Sequence, residues 1–249
     1  ADAAAVAELK AAVLQLAVMG RLVPQDPDDE PAGVLLERLA EERHKRTNVR
    51  IGNAAEPVLD EPFSPVPEGW QWARFWEVAE IASNLVDPRN YGTLPHIAPN
   101  NIESGSGQLL NYRTVVEDDV QSSNHHFFPG QIIYSKIRPN LSKAVIVDFE
   151  GLCSADMYPI NPLIIPRFLL LFILSSVFLA IATRNDTRVA MPKINQVELN
   201  RIPVPVPPLA EQHRIVARVD ELFALADEAA RRGAAAEAAR GRFLAAITN

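Results

Sequence analysis

The amino-acid sequence predicts a mixed α/β fold in which a sheet-containing domain lies between helical segments. Apolar residues recur at helical spacing in residues 1–50 and again, over a longer stretch, in residues 209–249. Between them, short runs of β-branched and aromatic residues alternate with Gly, Pro and Asn, as is typical of strands joined by turns. With 48% hydrophobic and 22% charged residues, the composition is that of a folded protein.

Residues 1–50 are predicted to form two helices joined by a turn. The apolar stripe of the first helix steps 3-4-3 along the sequence and comprises Val6, Leu9, Val13 and Leu16. Gly20 is predicted to end this helix, and an acidic, proline-rich turn follows. Pro31 suits the first position of the second helix, because its missing N–H is not needed there. The apolar face of the second helix comprises Leu35, Leu36 and Leu39.

Residues 51–67 are rich in proline and lack periodicity, so we interpret them as a linker. Residues 68–208 form the predicted domain, which opens with an aromatic strand-to-helix segment, GWQWARFWEVAEIAS. We expect one sheet, with strands in the runs LPHIAP, YRTVV, GQIIYSKI and KAVIVDF.

One long helix is predicted at about residues 166–184. Its apolar run of about 16 residues is shorter than the roughly 20 of a membrane span, so we assign it to the core.

Residues 209–249 are predicted to form one helix roughly 55–60 Å long. Prolines at positions 203, 205, 207 and 208 mark the boundary before it, because proline continues neither a strand ladder nor a helix interior. One face of this helix is an apolar seam, which needs a partner helix to cover it. Two candidate partners stay open: the N-terminal helices of the same chain and the same helix of a second copy. The seam steps 4-3 as in a coiled coil and comprises Ile215, Val219, Leu222, Ala226, Ala229, Gly233, Ala236, Arg240, Phe243 and Ile247.

The net charge of −7 argues against a protein that binds nucleic acid over its whole surface. Residues 1–80, however, hold 8 Lys and Arg against 15 Asp and Glu, so they carry the acidic surplus. The rest of the chain is neutral and leaves room for local basic patches. The single cysteine, Cys153, excludes a disulfide within the chain and favours a cytoplasmic location.

Motifs for catalysis are missing from the sequence. It contains neither a phosphate-binding loop of the form GxxxxGK[ST] nor a GxGxxG dinucleotide fingerprint. The tetrapeptide of amino-methyltransferases, Asn or Asp followed by Pro-Pro and an aromatic residue, is also missing. The spacings of His96, His125, His126 and Cys153 match no standard zinc pattern. We therefore expect a non-enzymatic protein without a metal or a cofactor.

Three polar segments are candidates for contact with double-stranded DNA. Lys and Arg neutralise phosphates, whereas Arg, Lys, Asn and Gln read base edges. The first segment, SKIRPNLSK, contains no acid and offers Lys136, Arg138, Asn140 and Lys143. The second, TRNDTRVAMPK, offers Arg184, Asn185, Arg188 and Lys193. The third, PNNIESGSGQ, offers Asn100 and Asn101.

Each segment also has a plainer interpretation. The first is equally well a solvated charged hairpin. In the second, Arg184 suits the C-terminal end of the preceding helix, where cations are favoured. The third is equally well an ordinary turn. The residue types by themselves leave these alternatives open.

Residues 14–42, 129–162 and 191–222 together resemble the specificity subunits of type I restriction–modification systems. The resemblance implies a non-catalytic subunit that reads one half of a split DNA site and docks methyltransferase subunits. It assigns S-adenosylmethionine-dependent adenine methylation and ATP-driven restriction to partner subunits. Members of this family typically have two recognition domains, and this chain has one. It therefore resembles either a half-length subunit that pairs with a second copy or a piece of a longer one.

Two rival functions stay open. One is a protein-interaction scaffold of the same complex without DNA recognition of its own, which the acidic surplus favours. The other is a hydrolytic enzyme that uses the histidines, which is the weaker of the two.

Overall fold

The computed structural model describes residues 3–47, 65–183 and 192–248 and confirms the mixed helix-and-sheet class. Within these ranges the helices are α1 (Ala3–Val18), α2 (Ala32–Thr47), α3 (Phe75–Val78), α4 (Pro166–Leu174), α5 (Ser176–Ala182), α6 (Gln196–Arg201) and α7 (Leu209–Thr248). The strands are β1 (Gln71–Arg74), β2 (Ala79–Ile81), β3 (Leu85–Val86), β4 (Pro95–Ile97), β5 (Arg113–Thr114), β6 (Asn124–Phe127), β7 (Ile132–Ser135), β8 (Ala144–Ile146), β9 (Gly151–Cys153), β10 (Met157–Pro162) and β11 (Pro203–Val206). Short 3-10 helices lie at Pro88–Asn90, Pro99–Asn101 and Pro139–Leu141.

The strands of the described ranges form three sheets, so the expectation of a single sheet is wrong. One sheet is antiparallel with the order β2-β10-β7-β8. A second has the order β3-β6-β9-β4-β5, with β4 and β9 parallel, and β1 pairs with β11 in a separate ribbon. The two larger sheets can pack separately because β7 is buried on both faces. Ile132 and Tyr134 belong to the main core, and Ile133 belongs to a second core that both larger sheets share.

The predicted helix at residues 166–184 is in fact two helices, α4 and α5, separated at Ser175. Ser175 has an extended backbone, with φ −76° and ψ 156°. Its hydroxyl donates to the Phe172 carbonyl at 2.7 Å and accepts from the Phe178 amide at 3.3 Å, so it caps α5. The apolar residues 168–174 of α4 are buried, which confirms their assignment to the core. Among the described residues, no helix combines the length and apolarity that a membrane crossing requires.

The stripe predicted for α1 is partly wrong, because the helix buries a neighbouring face. Leu9 and Leu16 are 52% and 42% exposed. The buried residues of α1 are Val13, Leu14, Ala17 and Val18. α1 packs against α7 as well as α4 and α5, and the face with the small Ala17 is the one turned to them. Gly20, at φ +66°, follows the helix end as predicted.

The second helix and the boundary at Gly20 agree with the sequence prediction. α2 begins directly after Pro31, and Leu35 is buried, while Leu36 and Leu39 pack half-buried on the main core. At Gly20 an added Cβ would lie 2.4 Å from Cγ of Pro67, so a side chain would clash there.

α7 is a single 40-residue helix, as predicted, and its seam is covered only in its first half. Ile215, Val219 and Ala226 are buried, and Leu222 is half-buried against the main core. Lys10 of α1 forms an ion pair with Asp227 in the same part of α7, with its ammonium 2.6 Å from the carboxylate. Farther along, Gly233 is half-buried, the side chain of Phe243 lies outside the described residues, and the exposed seam residues are Ala229, Ala236, Arg240 and Ile247.

The strand β11 contains two of the prolines that the sequence pattern indicates only as a boundary. α7 does start directly after Pro208, but residues 203–206 also form a strand. In this two-stranded ribbon each strand has one partner, so every second backbone N–H is not needed for pairing. Prolines at 203 and 205 therefore fit, with Val204 and Val206 between them.

A buried carboxylate joins three distant segments at the start of α7. Glu211 is 1% exposed and accepts from the indole N–H of Trp70 at 2.9 Å. It also accepts from the Gln25 amide at 3.1 Å, in the turn after α1. Burial raises the pKa of the Glu211 carboxyl, and the two hydrogen bonds oppose that rise. The N-terminal turn, the first residue of the domain core and α7 are thus held at one point.

Two neighbours of Glu211 strengthen this junction. The side chain of Gln212 is fully buried, accepts from the Ile165 amide at 3.1 Å and donates to the Pro207 carbonyl at 3.0 Å. Arg214 donates to Asp29 at 3.2 Å, and this hydrogen bond lowers the pKa of the Asp29 carboxyl. The segment LAEQHR therefore has a structural role that sequence analysis did not assign.

Replacing Glu211 by Ala is expected to lower the free energy of unfolding by about 1–3 kcal/mol, because the buried indole N–H of Trp70 loses its acceptor. The measurement is urea denaturation followed by tryptophan fluorescence. Glu237→Ala is the matched control, since Glu237 is exposed on the same helix and its loss should change stability by less than about 0.5 kcal/mol. Equal effects of the two substitutions would contradict the assigned role of Glu211.

Candidate nucleic-acid interface

The loop between β7 and β8, residues 136–143, has an unusual backbone. Arg138 and Ser142 both adopt the left-handed conformation, at φ +48° and φ +44°, on either side of the 3-10 helix Pro139–Leu141. This backbone conformation is unfavourable for residues other than glycine, and residues held in it cluster at functional sites. The Leu141 and Ser142 amides donate to the Arg138 and Pro139 carbonyls at 2.9 Å, which fixes the turn.

Residues 192–194 lie directly beside this loop. The Arg138 amide donates to the Pro192 carbonyl at 2.8 Å, and the Ile194 amide donates to the Lys136 carbonyl at 3.0 Å. Lys193 forms an ion pair with Asp156 at 3.2 Å. The structure therefore brings Lys193 next to Lys136 and Arg138. The predicted contacts Arg184, Asn185 and Arg188 lie outside the described residues.

The loop after β4 lies on the other side of residues 136–143. The ammonium of Lys143 donates to the Pro99 carbonyl at 2.7 Å, and the Gly105 amide donates to the Ser142 carbonyl at 3.1 Å. All three segments predicted from the sequence thus contribute described residues to one continuous surface. We call it the loop surface and define it by residues 99–101, 109–113, 136–143 and 192–194.

The predicted side chains on the loop surface differ in how far they are engaged within the protein. Arg138 and Asn140 are exposed and make no side-chain hydrogen bond or ion pair with another described residue. Lys136 is half-buried, with its ammonium 4.9 Å from the ring centroid of Tyr158. Lys143 is committed to the Pro99 carbonyl. Arg138 and Asn140 are therefore the most accessible members of this loop.

The two predicted amides in the loop after β4 also differ in how far they are engaged within the protein. Asn100 is exposed. Asn101 uses its side chain within the protein, because its oxygen accepts from the Ala98 amide at 2.8 Å and its nitrogen donates to the Asn111 carbonyl at 2.7 Å. Asn101 thereby holds residues 98–101 against residues 109–113. Sequence analysis interpreted YRTVV as a strand and did not single out Arg113 in that run or Asn111 just before it. The structure places both residues near Asn100.

The histidines are engaged in the packing of the second sheet. His96 lies 2.8 Å from Asp118, and His126 lies 2.7 Å from Glu150. His125 is buried and accepts from the Asn84 amide, and burial lowers its pKa, assisted by the charge of Lys136. Burial also raises the pKa of the Cys153 thiol. Among the described residues, no group of three or more His, Cys, Asp and Glu is arranged to hold a metal ion.

Comparison with known proteins gives a consistent result. Residues 67–233 match the family model of the type I restriction modification DNA specificity domain. The chain is 49% identical over 175 residues to the type I restriction enzyme EcoDI specificity subunit of Escherichia coli, covering 70% of this chain and 39% of that protein. It is 30% identical over 247 residues to the EcoAI specificity subunit of Escherichia coli, covering 91% of this chain and 41% of that protein. The chain therefore spans about two fifths of the length of these curated relatives.

The fold also matches a solved structure. One chain from a study described as "Structural basis underlying complex assembly and conformational transition of the type I R-M system" superposes with a TM-score of 0.56 at 21% identity. The match covers 85% of this chain and 54% of that chain. At this identity the likeness concerns the fold.

Replacing Lys143 by Ala is expected to loosen residues 99–105 without unfolding the domain, because the Pro99 carbonyl loses a charged donor worth about 1 kcal/mol. Hydrogen exchange of the Gly105 amide should accelerate about fivefold. Arg138→Ala is the control and should leave that exchange rate unchanged, since the Arg138 side chain has no partner among the described residues. An unchanged rate in Lys143→Ala would refute the positioning role.

Proposed function

The chain belongs to the type I restriction modification DNA specificity family, and on that premise we propose that it recognises one half of a split DNA site. The observation that carries this proposal is the loop surface, where three separately predicted polar segments meet. Residues 68–208 are the proposed recognition domain, with residues 51–67 as the linker before it. The chain is proposed to act without a cofactor and without catalysis of its own.

The charges of the loop surface support contact with the DNA backbone. Lys136 and Arg138 come from a loop without an acid, and Lys193 lies next to them. Cations at this spacing can neutralise neighbouring phosphates and release counterions. Asn140 adds an amide between them. Arg184, Asn185 and Arg188 stay predictions for the same surface, because they adjoin Lys193 in sequence.

The helical segments, residues 1–50 and 209–249, are the proposed docking site for the methyltransferase subunits. α1 and the first half of α7 pack together and are fixed to the domain by Glu211. A rigid pair of helices suits a scaffold that holds partner subunits at a defined distance from bound DNA. The restriction subunit would join through the same complex. A cytoplasmic location stays part of this proposal and rests on the cysteine count.

A second copy of the chain is the partner that we propose for the exposed half of the α7 seam. Residues 229–248 extend about 30 Å at 1.5 Å per residue. Ala and Gly along this seam permit a close helix approach, and two copies related by a twofold axis would present two recognition domains. The alternative is a helix from additional residues of a longer chain, since the relatives are more than twice as long.

A scaffold without DNA recognition is the rival function. The acidic surplus of residues 1–80 is the observation that favours it. The same surplus is compatible with the main proposal, because it lies outside the loop surface.

The combined Lys136→Ala and Arg138→Ala variant is expected to bind DNA more weakly at every salt concentration. If both side chains contact phosphates, the slope of log K against log salt should fall by about one unit per residue. The assay is fluorescence anisotropy with labelled duplexes, using the full chain together with the methyltransferase subunit of the same system. Arg201→Ala is the control, because Arg201 is exposed at the end of α6 and lies outside both the loop surface and the proposed docking helices. Binding by the variant that matches the wild type across salt concentrations would exclude this loop.

Substitution of Ala236 and Ile247 by Glu is expected to convert a dimer to a monomer, because both lie on the exposed seam. Sedimentation at about 10–50 micromolar measures the mass, since a weak dimer would dissociate at lower concentration. Ala238→Glu, on the opposite side of α7, is the control and should leave the mass unchanged. Ile215→Glu instead should destabilise the fold, because Ile215 is already buried within the chain. A monomeric wild-type chain, with or without the methyltransferase, would contradict pairing.

A further inference from the structure

A polar recess lies within the loop surface, beside the Lys143 contact. It is lined by His96, Asn100, Asn111, Tyr112, Arg113 and Asp118. β4 and β5 form one wall, and residues 98–101 form the other. Asn101 ties the walls together through its hydrogen bond to the Asn111 carbonyl, and the Leu110 amide returns a hydrogen bond to the Asn101 carbonyl at 2.7 Å. The recess is therefore a built feature with a fixed shape.

The polar groups on its rim have unused hydrogen-bonding capacity. Asn100, Asn111 and Arg113 are exposed, and none of their side chains bonds to another residue that the structure describes. A carboxamide presents one acceptor and two donors, and a guanidinium presents parallel donors. These are the groups that pair in two-bond geometry with adenine and with guanine in the major groove.

The charge of the recess favours bases over phosphates. Asp118 lines it, with one carboxylate oxygen 2.8 Å from His96, and Glu117 lies close enough to Arg113 for the guanidinium to lower the Glu117 pKa, after the larger effect of hydrogen bonds from Thr114. Carboxylates repel phosphates but accept from the amino groups of bases. Residues 136–143, in contrast, contain no acid. The two parts of the loop surface thus differ in the DNA group that they suit.

An apolar side wall completes the recess. Tyr112 is 41% exposed, and its ring stacks on Phe149 at 5.3 Å between centroids with an interplanar angle of 19°. Leu110 lies near Tyr112, outside the recess itself, and is 47% exposed. A rigid ring with an apolar neighbour suits contact with a thymine methyl group or a deoxyribose.

We propose that this recess reads base edges in the major groove, with Asn111 and Arg113 as specificity-determining residues and Asn101 as a positioning residue. Residues 136–143 then supply mainly phosphate contacts. The inference rests on the proposed DNA recognition and assigns its sequence-reading part to residues that the sequence patterns did not single out.

The test begins with selection of a randomised duplex library by the full chain together with its methyltransferase subunit. The enriched duplex and a scrambled duplex of equal length are then titrated against Asn111→Ala, Arg113→Ala and Arg113→Lys. Arg201→Ala, an exposed arginine at the end of α6, is the control. Thermal unfolding establishes that each variant is folded.

Each recess variant is expected to bind the enriched duplex about tenfold more weakly and to change scrambled-duplex binding less than about twofold. Arg113→Lys should behave like Arg113→Ala, because an ammonium keeps the charge but loses the two-bond geometry. Repeating the selection with each variant should relax the preference at one position, with the salt slope unchanged. The control should bind as the wild type does.

Three outcomes would overturn the inference. Equal loss on both duplexes with a smaller salt slope would identify phosphate contacts, and rescue by Arg113→Lys would point the same way. Unchanged binding in all recess variants would exclude the recess while leaving DNA recognition intact. A wild-type complex that enriches no sequence would refute the proposed function itself, and the inference with it.

Discussion

The buried carboxylate of Glu211 is the interaction on which the arrangement of the chain depends. Its acceptor oxygens are satisfied by Trp70 and Gln25, which lie 141 and 186 positions away in the sequence. A buried carboxylate without such partners would be costly, so the three segments stabilise one another at this point. Gln212 adds bonds to the backbone before α4 and before α7. The turn after α1, the segment before β1 and the start of α7 therefore meet at one point, and α7 starts in a fixed direction.

That fixed start explains the division of α7 into two parts. α1 and α4 cover the seam as far as Ala226, and beyond it small side chains lie exposed. The first part packs on the main core, whereas the second is exposed and is the surface for which we propose a partner. A helix anchored at one end and open along the other suits a subunit that sets the distance between two bound objects. This physical feature links the packing of the core to the proposed assembly.

The loop surface is rigid for a related reason. β7 is buried on both faces, and β8 and β10 flank it, so the loop that follows it is anchored on both cores. Hydrogen bonds from residues 136–143 reach both neighbouring segments, and they hold Arg138 and Ser142 in left-handed conformations. A preorganised loop loses little conformational entropy on binding, which favours selective contacts. The separation of a basic loop from an amide-lined recess would offer two kinds of contact to the DNA that we propose as its partner.

The sequence by itself determined the family, the fold class, the end of α1, the start of α2 to within one residue, the long C-terminal helix and the basic loop, because these follow from local residue types and spacings. It did not determine the buried face of α1, since Leu9 and Ala17 both fit a helical stripe and only the neighbouring helices decide between them. Nor did it reveal the break at Ser175, the strand formed by PVPV or the separation into three sheets. A segment that is buried on every side has no polar and apolar alternation, so its sequence does not show where a helix breaks or which strands it pairs with. The hydrogen bonds of Asn101 and Glu211 were decided by tertiary structure alone, since their partners lie far away along the chain or depend on the shape of a loop.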